Sequence, residues 1–101
     1  MSVTIQSCGI STRPLATIGE VTSSIEHGTG VLISVEGDNG PFSATIRRDR
    51  QRVDVEIFHD DKPSMMKWKG SFYLSSVDPI GIFRITKVVL EEFSGVQIDS
   101  E

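Results

Sequence analysis

The sequence predicts an all-β fold: an antiparallel β-sandwich or small barrel with a central meander and at most one short helix. Three consecutive segments carry this prediction, residues 30–36, 41–48 and 52–59. Each largely alternates apolar with polar residues, which is the period of a half-buried strand, and a turn separates each from the next. Similar segments elsewhere in the chain predict seven or eight strands in total, as in sandwiches and small barrels.

The N-terminal segment is less regular than the meander. Val3 and Ile5 alternate with polar residues and predict a first strand that ends near Gly9, before a turn at Arg13 and Pro14. Residues 15–26 allow two interpretations. Their apolar residues have helical spacing, whereas Gly19 and the run Val-Thr-Ser-Ser favour extended structure. We prefer a strand there, with a helix as the open alternative, followed by a glycine turn over residues 27–30.

The first hairpin is expected to turn at Asp38 and Asn39. A tip at Asn39 and Gly40 would place Pro41, which has no N–H to donate, at the closing position. The preferred tip predicts three cross-strand pairs on one face: Val35 with Phe42, Ile33 with Ala44 and Val31 with Ile46.

Charge decides the second hairpin. Pairing Ile46 with Val53 would place Arg47 opposite Arg52, and like charges directly opposed are destabilising. The register one pair further on matches Ile46 with Val55, Arg47 with Asp54 and Asp49 with Arg52. We therefore expect this second register.

Two long strands are predicted for the C-terminal half. Residues 67–75 alternate strictly, and a turn over residues 78–81 leads to a return strand opened by Phe83 and Ile85. The pattern changes phase near Lys87, which a bulge would explain, and residues 96–98 predict a short last strand. The predicted core consists of Val31, Ile33, Val35, Phe42, Ala44, Ile46, Val53, Val55, Ile57, Trp68, Phe72, Leu74, Phe83 and Ile85.

Length and composition predict a single domain over residues 1–101. At 101 residues, with 38% hydrophobic and 24% charged residues, the chain is long enough and apolar enough to bury one core. Its apolar runs are too short to span a membrane, and its N-terminus lacks the pattern of a secretory signal. The single cysteine, Cys8, excludes an internal disulfide, so we expect the cytoplasm, or an assembled virion, as the location.

The charge is unevenly distributed. The net charge is −4, which disfavours a surface devoted to nucleic acid. Residues 47–90 nevertheless carry nine bases against six acids, between ends that are both acidic.

Catalytic and metal-binding motifs are missing from the sequence, and we expect a protein that is not an enzyme and uses no cofactor. Cys8 has no nucleophile signature around it, and Gly28 and Gly30 do not form a phosphate loop. His59 with Asp60 and Asp61 has the ligand types of a metal site but not the spacing, so a solvated turn is preferred. Four further carboxylates near the C-terminus are not placed in a cleft by any pattern: Glu91, Glu92, Asp99 and Glu101.

Two groups of residues are candidates for partner binding. Arg47, Arg48, Arg50 and Arg52 surround the tip of the second hairpin, and Lys67 and Lys69 flank Trp68 with Tyr73 on the face of the lysines. Guanidinium groups bind carboxylates of protein partners, and cations beside aromatic rings also bind single-stranded nucleic acid. An ordinary charged turn and a core tryptophan between solvated lysines are the alternative interpretation.

Residues 68–76, with Gly81 and residues 90–95, resemble the C-terminal hairpin of phage tail tube and related tail proteins. There a strand of the form W-x-G-x-F-x-(L/V)-x-S precedes a return strand that ends near (L/V)-E-x-S-G. The resemblance covers about 28 residues. It implies a β-sandwich subunit that assembles edge to edge with copies of itself and has no catalytic residues.

The sequence therefore predicts a binding or assembly protein whose partner is another protein or a copy of itself. The first hypothesis is a phage virion subunit, in a tail or decoration layer. The second is a small acidic inhibitor, such as a toxin immunity protein or a phage anti-defence protein, since acidic surfaces dock on nucleic-acid-binding partners. The third is a single-stranded nucleic-acid binder that uses residues 47–52, Trp68 and Tyr73. No membrane or small-molecule ligand is expected.

Overall fold

One open antiparallel sheet, with two helices on one of its faces, forms the architecture of the protein. The structure, a computed structural model, describes residues 2–8, 14–28, 30–62 and 64–98. Its elements are β1 (Ser2–Ser7), α1 (Ile18–His27), β2 (Val31–Gly37), β3 (Gly40–Asp49), β4 (Arg52–His59), β5 (Met66–Tyr73) and α2 (Pro79–Ser94). The strands lie in the order β1-β2-β3-β4-β5, each antiparallel to its neighbour.

Both predicted hairpin registers are confirmed. Gly37 pairs with Gly40, so the first turn has Asp38 and Asn39 at its tip, and Val35 lies opposite Phe42. In the second hairpin Arg47 lies opposite Asp54 and Asp49 opposite Arg52. The observed register therefore places opposite charges directly across the two strands, as the charge argument predicts. The predicted first strand and the strand around Trp68 are also present, as β1 and β5.

The fold is largely β structure, as expected. The described residues, however, form neither a second sheet nor a closed barrel. They contain five strands in place of seven or eight, and two helices in place of at most one short helix. The helices pack against β2 and β3 and against each other. They cover the apolar face of the sheet, a role that a second sheet has in a sandwich.

Helix α1 corrects the preference for a strand over residues 15–26. Thr17 and Glu20 form a capping box, in which the Thr17 hydroxyl accepts from the Glu20 N–H at 3.1 Å. The Glu20 carboxylate in turn accepts from the Thr17 N–H at 3.2 Å. This box satisfies N–H groups that a helix start otherwise leaves free. Val21 and Ile25 are then buried on one side of the helix.

Helix α2 replaces the predicted return strand. Asp78 is its N-cap, accepting a hydrogen bond from the Gly81 N–H at 2.9 Å, and Pro79 occupies the first turn. The buried residues recur at helical spacing, which explains the apparent change of phase near Lys87: they are Ile82, Phe83, Thr86, Leu90 and Ser94. Gly95, with a φ of 72°, ends the helix in the left-handed conformation that glycine adopts freely.

Helix α2 also changes the predicted core. Phe83 is buried as expected, but Ile85 is 37% exposed because it lies on the outer side of the helix. Trp68, Phe72 and Leu74 are only partly buried, at the margin of the core. Seven buried apolar residues were not predicted: Leu15, Val21, Ile25, Ile82, Leu90, Val96 and Ile98. Val96 and Ile98 are buried without belonging to a strand, in contrast to the predicted last strand.

Turns predicted near the N-terminus fall partly outside the described residues. Gly9, Arg13 and one residue of the turn over residues 27–30 are outside the described part of the chain. Pro14 forms an isolated antiparallel bridge with Gln6, so the chain returns along β1 before α1 begins.

Candidate protein-binding surface

The arginines of the second hairpin do not form one cluster. Arg47 and Arg48 are neighbours in sequence and therefore lie on opposite faces of β3. Arg48 lies opposite Val53, on the face that carries the helices, and its guanidinium donates to the backbone carbonyl of Glu26 at the end of α1. A second bond runs from Arg48 Nε to the Arg50 carbonyl at 2.6 Å. Arg48 thus connects the hairpin tip to a helix terminus and is half-buried.

Arg47 and Arg52 lie on the open face of the sheet, which carries no helix, and Arg52 forms ion pairs with two carboxylates. Arg52 Nη2 is 3.4 Å from Asp49 Oδ2, and its Nε is 3.3 Å from Asp54 Oδ2. Arg47 lies directly opposite Asp54. Asp49 and Asp54 therefore compensate the charge of Arg52, one of the four arginines at the hairpin tip.

Arg50 lies at the tip itself, in an unusual backbone conformation. Its φ is 59°, the only positive value among the described residues other than glycine. We define the corner surface as the five residues that line a shallow groove where the tip meets the end of β5: Asp49, Arg50, Gln51, Arg52 and Tyr73. Tyr73 lies opposite Arg52 and is 57% exposed. The structure therefore brings Arg50, Arg52 and Tyr73 together.

The two candidate lysines are exposed on β5. Lys69 lies on the same face as Tyr73 and directly opposite Glu56 on β4. Lys67 is the additional residue where the β4–β5 register shifts, between Ile57 and Phe58. Positive and negative side chains therefore face each other across the strands of the open face. Lys69 is not part of a continuous positive groove.

Strand β5 forms an edge of the sheet and has no neighbouring strand among the described residues on its outer side. The Leu74 N–H donates to the Gln51 carbonyl at 2.8 Å. Leu74 and Gln51 are therefore a hydrogen-bonded pair, and along an antiparallel ladder hydrogen-bonded pairs alternate with non-hydrogen-bonded pairs. Phe72, Gly70 and Trp68 therefore direct their backbone groups to β4. The N–H and C=O groups of Lys69 and Ser71 point away from the sheet, as does the Tyr73 N–H. The Tyr73 carbonyl accepts from the N–H groups of Ser76 and Val77, at 2.9 and 3.0 Å, in the turn that follows the strand.

Exposed apolar side chains lie at both ends of this edge. Met65 is 59% exposed and Met66 is 42% exposed at one end, and Tyr73 is at the other. The two methionines were missed by the sequence analysis. The sequence did contain a signal, because Met65 and Met66 are adjacent apolar residues just before the alternation of β5. In a half-buried strand only one of two adjacent side chains faces the core.

His59 belongs to a structural junction of turns. The Asp61 N–H donates to His59 Nδ1 at 3.2 Å, so Nδ1 carries no proton in this arrangement, and Nε2 donates to the Asn39 carbonyl at 3.3 Å. The ring packs edge-on against Phe42, with centroids 4.7 Å apart. Asp60 accepts a hydrogen bond from Ser43 at 3.0 Å. Among the described residues, no three histidine, cysteine or acidic side chains are grouped to hold a metal ion.

The other reactive candidates are placed separately. Burial raises the pKa of the Cys8 thiol above its ordinary value, and the nearby Arg47 guanidinium opposes this effect. His27 is exposed at the end of α1, 4.0 Å from Glu26. Glu91 accepts from the Ile98 N–H at 2.7 Å and so holds the C-terminal segment against α2. Asp99 and Glu101 lie outside the described residues.

Comparison of the chain with protein-family models, with curated proteins and with solved structures found no match. Over the part of the chain that the structure describes, neither helix is long and apolar enough to cross a membrane.

Proposed function

We propose that this chain is a non-enzymatic protein that works by binding other protein chains, through the edge strand β5 and the adjoining corner surface. The observation that carries the proposal is the outer side of β5, along which no strand of the described residues lies and which has exposed Met65 and Met66 at one end and exposed Tyr73 at the other. Methionine, tyrosine and arginine are enriched in protein interfaces.

The backbone of β5 supports this proposal. The outward N–H and C=O groups of Lys69 and Ser71, together with the Tyr73 N–H, are in the arrangement to which a further strand can add. Arg50 and Arg52, beside Tyr73, would bind carboxylates of a partner at the same end.

The charge pattern disfavours the nucleic-acid hypothesis. Arg52 has Asp49 and Asp54 as ion-pair partners, and Lys69 lies opposite Glu56. A groove for single strands needs continuous positive charge along the phosphates. Carboxylates interrupt such a path across β4 and β5.

Within this class we propose two roles. A virion subunit, in a tail or decoration layer, agrees with a free edge strand that has exposed apolar ends. The segment with the tail-protein resemblance does not form a hairpin, however, because residues 79–94 are helix α2. A small inhibitor agrees with the net charge of −4, since acidic proteins associate readily with basic partners.

Site-specific photo-crosslinking in the native host tests the proposal. A photoreactive phenylalanine analogue replaces Tyr73 in one variant and Glu92, an exposed residue of α2, in the control. We expect position 73 to form a discrete protein adduct that position 92 does not form, because only position 73 adjoins the proposed surface.

The identity of the adduct separates the hypotheses. An adduct with virion proteins or with the chain itself supports a structural subunit, and an adduct with a different host or phage protein supports an inhibitor. A nucleic-acid adduct, no adduct, or equal adducts at both positions would contradict binding of protein through this surface.

A further inference from the structure

We propose that β5 pairs with β5 of a second copy across a two-fold axis at Gly70, joining the two five-stranded sheets into one. This inference rests on the proposed function, because it names a second copy as a partner of the edge strand. It commits to one register, in which each residue of β5 faces the residue equally far from Gly70 on the other side.

The backbone of β5 allows this arrangement. The outward N–H and C=O groups that a second copy can reach belong to Lys69 and Ser71, as set by the alternation with β4, and the Tyr73 N–H also points outward. A two-fold axis at Gly70 brings Lys69 of one copy opposite Ser71 of the other, and both residues direct N–H and C=O groups into the gap. They can exchange two hydrogen bonds in each such pair, as a hydrogen-bonded antiparallel pair does.

The side chains of the open face are complementary in this register. Lys69 faces Ser71 of the second copy, and Lys67 faces its Tyr73. Each ammonium group therefore lies directly opposite a hydroxyl-bearing side chain and not opposite a second cation, and tyrosine also offers its ring to the lysine. Lysines on an edge strand generally oppose edge-to-edge pairing; this register places the two Lys69 residues diagonally and no lysine directly opposite another.

The helix-facing side of β5 has the same symmetry. A Cβ atom at Gly70 would lie 2.5 Å from the Trp68 ring and 3.1 Å from the Phe72 ring, so both rings lean over the glycine. In the proposed pair, Trp68 faces Phe72 of the second copy on either side of two opposed glycines. Such non-hydrogen-bonded pairs have closely spaced side chains, and aromatic pairs across strands are stabilising. Both rings are only partly buried in the single chain.

Other registers are less favourable. An axis at Lys69 would oppose two identical ammonium groups, and an axis at Trp68 would oppose Lys67 to Lys69. An axis at Ser71 avoids both clashes but leaves Lys67 beyond the end of the second copy's strand, which stops at Tyr73. The axis at Gly70 therefore uses more of the edge than the axis at Ser71.

The other edge strand, β1, gives a different prediction. Pairing β5 with β1 of a second copy would be heterologous, so that further copies could add without limit unless the assembly closed into a ring. Two-fold pairing of β5 with itself stops at two copies. Because one pair of edge strands buries less than the roughly 1,200 Å² typical of stable interfaces, the dimer should be weak.

Ser71 offers a sharp test, because its hydroxyl donates to Asp54 within the same chain at 2.8 Å. In Ser71→Lys the new ammonium keeps a favourable partner in Asp54 but faces Lys69 of the second copy. In Ser71→Glu the new carboxylate is repelled by Asp54 but meets Lys69 of the second copy. Folding stability and dimerisation should therefore change in opposite directions. Thr4→Lys, an exposed substitution on β1, is the matched control.

Mass is measured by light scattering and by sedimentation equilibrium from about 1 to about 500 μM, a range that includes weak association. We expect the wild type to approach twice the mass of the chain. Ser71→Lys should weaken dimerisation by about tenfold or more and Ser71→Glu should strengthen it, whereas Thr4→Lys should behave as wild type.

A wild type that stays monomeric, masses that grow beyond two copies, or a Thr4→Lys variant that alone loses the dimer would overturn the inference. Weaker dimerisation in both Ser71 variants would also overturn it, because that result indicates a two-fold axis at Ser71. In that register the new side chain at position 71 faces the same charged side chain of the second copy. Photo-crosslinking separates this inference from the proposed function. A monomeric chain that still forms a protein adduct at position 73 retains the function but not the dimer.

Discussion

Arg48 donates a hydrogen bond to the backbone carbonyl of Glu26, so the tip of the second hairpin is bound to the last turn of α1. The first hairpin has a similar contact, in which Asn39 Nδ2 donates to the Phe93 carbonyl of α2 at 3.1 Å. Helix C-termini leave carbonyls without partners and carry partial negative charge. Both hairpin tips therefore hold a helix against the sheet, and Arg48 has a structural role.

Replacing Arg48 by alanine should lower the free energy of unfolding by about 1–2 kcal/mol, because a charged donor to a helix terminus is lost. Urea denaturation at neutral pH measures the change. Arg50→Ala is the control and should change stability by less than about 0.5 kcal/mol, as for other exposed substitutions. Equal losses in the two variants would contradict the structural role of Arg48. Partner binding is accordingly better tested at Arg50 than at Arg48.

Replacing Arg50 by glycine should raise stability by up to about 1 kcal/mol. The φ of 59° strains a residue with a Cβ atom, and glycine relieves the strain at some cost in unfolded-chain entropy. Thermal and urea denaturation measure the effect. Gln51→Gly, next to it in the same turn, should lower stability instead. A loss of stability in Arg50→Gly would show that its side chain contributes more than its backbone conformation costs.

The N-cap of α2 should be worth about 1 kcal/mol. Asp78→Ala removes the acceptor for the Gly81 N–H, and such losses are typically 0.5–2 kcal/mol, or roughly 1. Asp78→Asn keeps an acceptor oxygen and should retain most of the stability. Circular dichroism during urea denaturation reports both. If Asp78→Ala and Asp78→Asn lower the stability equally, Asp78 stabilises the helix through its charge and not through the capping hydrogen bond.

The two phenylalanines at positions 72 and 83 should differ in their contribution to the core. Phe83 is 1% exposed, so Phe83→Ala should cost about 3–5 kcal/mol. Phe72 lies partly exposed on β5, and its loss should cost clearly less. Denaturation midpoints compare the variants. A larger loss for Phe72 would mean that the margin of the sheet is covered more completely than the structure shows.

Cys8 should make stability depend on alkaline pH. Burial raises the pKa of its thiol in the folded chain above the ordinary value of 9.0. The unfolded chain therefore loses this proton first as pH rises, so the stabilising contribution is complete below about pH 9 and decreases above it. Urea denaturation of wild type and Cys8→Ser at pH 7 and at about pH 10 isolates the effect. Wild type should lose more stability than the variant, and parallel losses would contradict the raised pKa.

The meander was predictable because its information is local. Alternation along β2, β3 and β4 defines which face is apolar, and the pairing of Arg47 with Asp54 decides between two registers only one pair apart. Pro41, which lacks an N–H, likewise places the first turn by itself. Such signals act between residues a few positions apart and need no knowledge of the rest of the fold.

The helices had local signals as well, but these signals also suit turns. Asp78 followed by Pro79 starts either a β-turn or a helix, and Thr17 with Glu20 is a capping box only if the following residues are helical. The decision depends on whether a face of each segment can be buried against the sheet. That burial is a tertiary property, since most of the stability of a helix in a protein comes from packing.

The candidate surface divides in the same way. Two of its features follow from the sequence alone: arginines at the tip of the second hairpin, and cations that alternate with aromatic residues along β5. Three others emerge only from the folded chain: Arg48 binds the end of α1, Tyr73 joins Arg52 at a corner, and β5 is an edge. The difference arises because composition and period set which side chains face together along one strand. The partners of an arginine and the position of a strand in a sheet depend instead on segments that are distant in the chain.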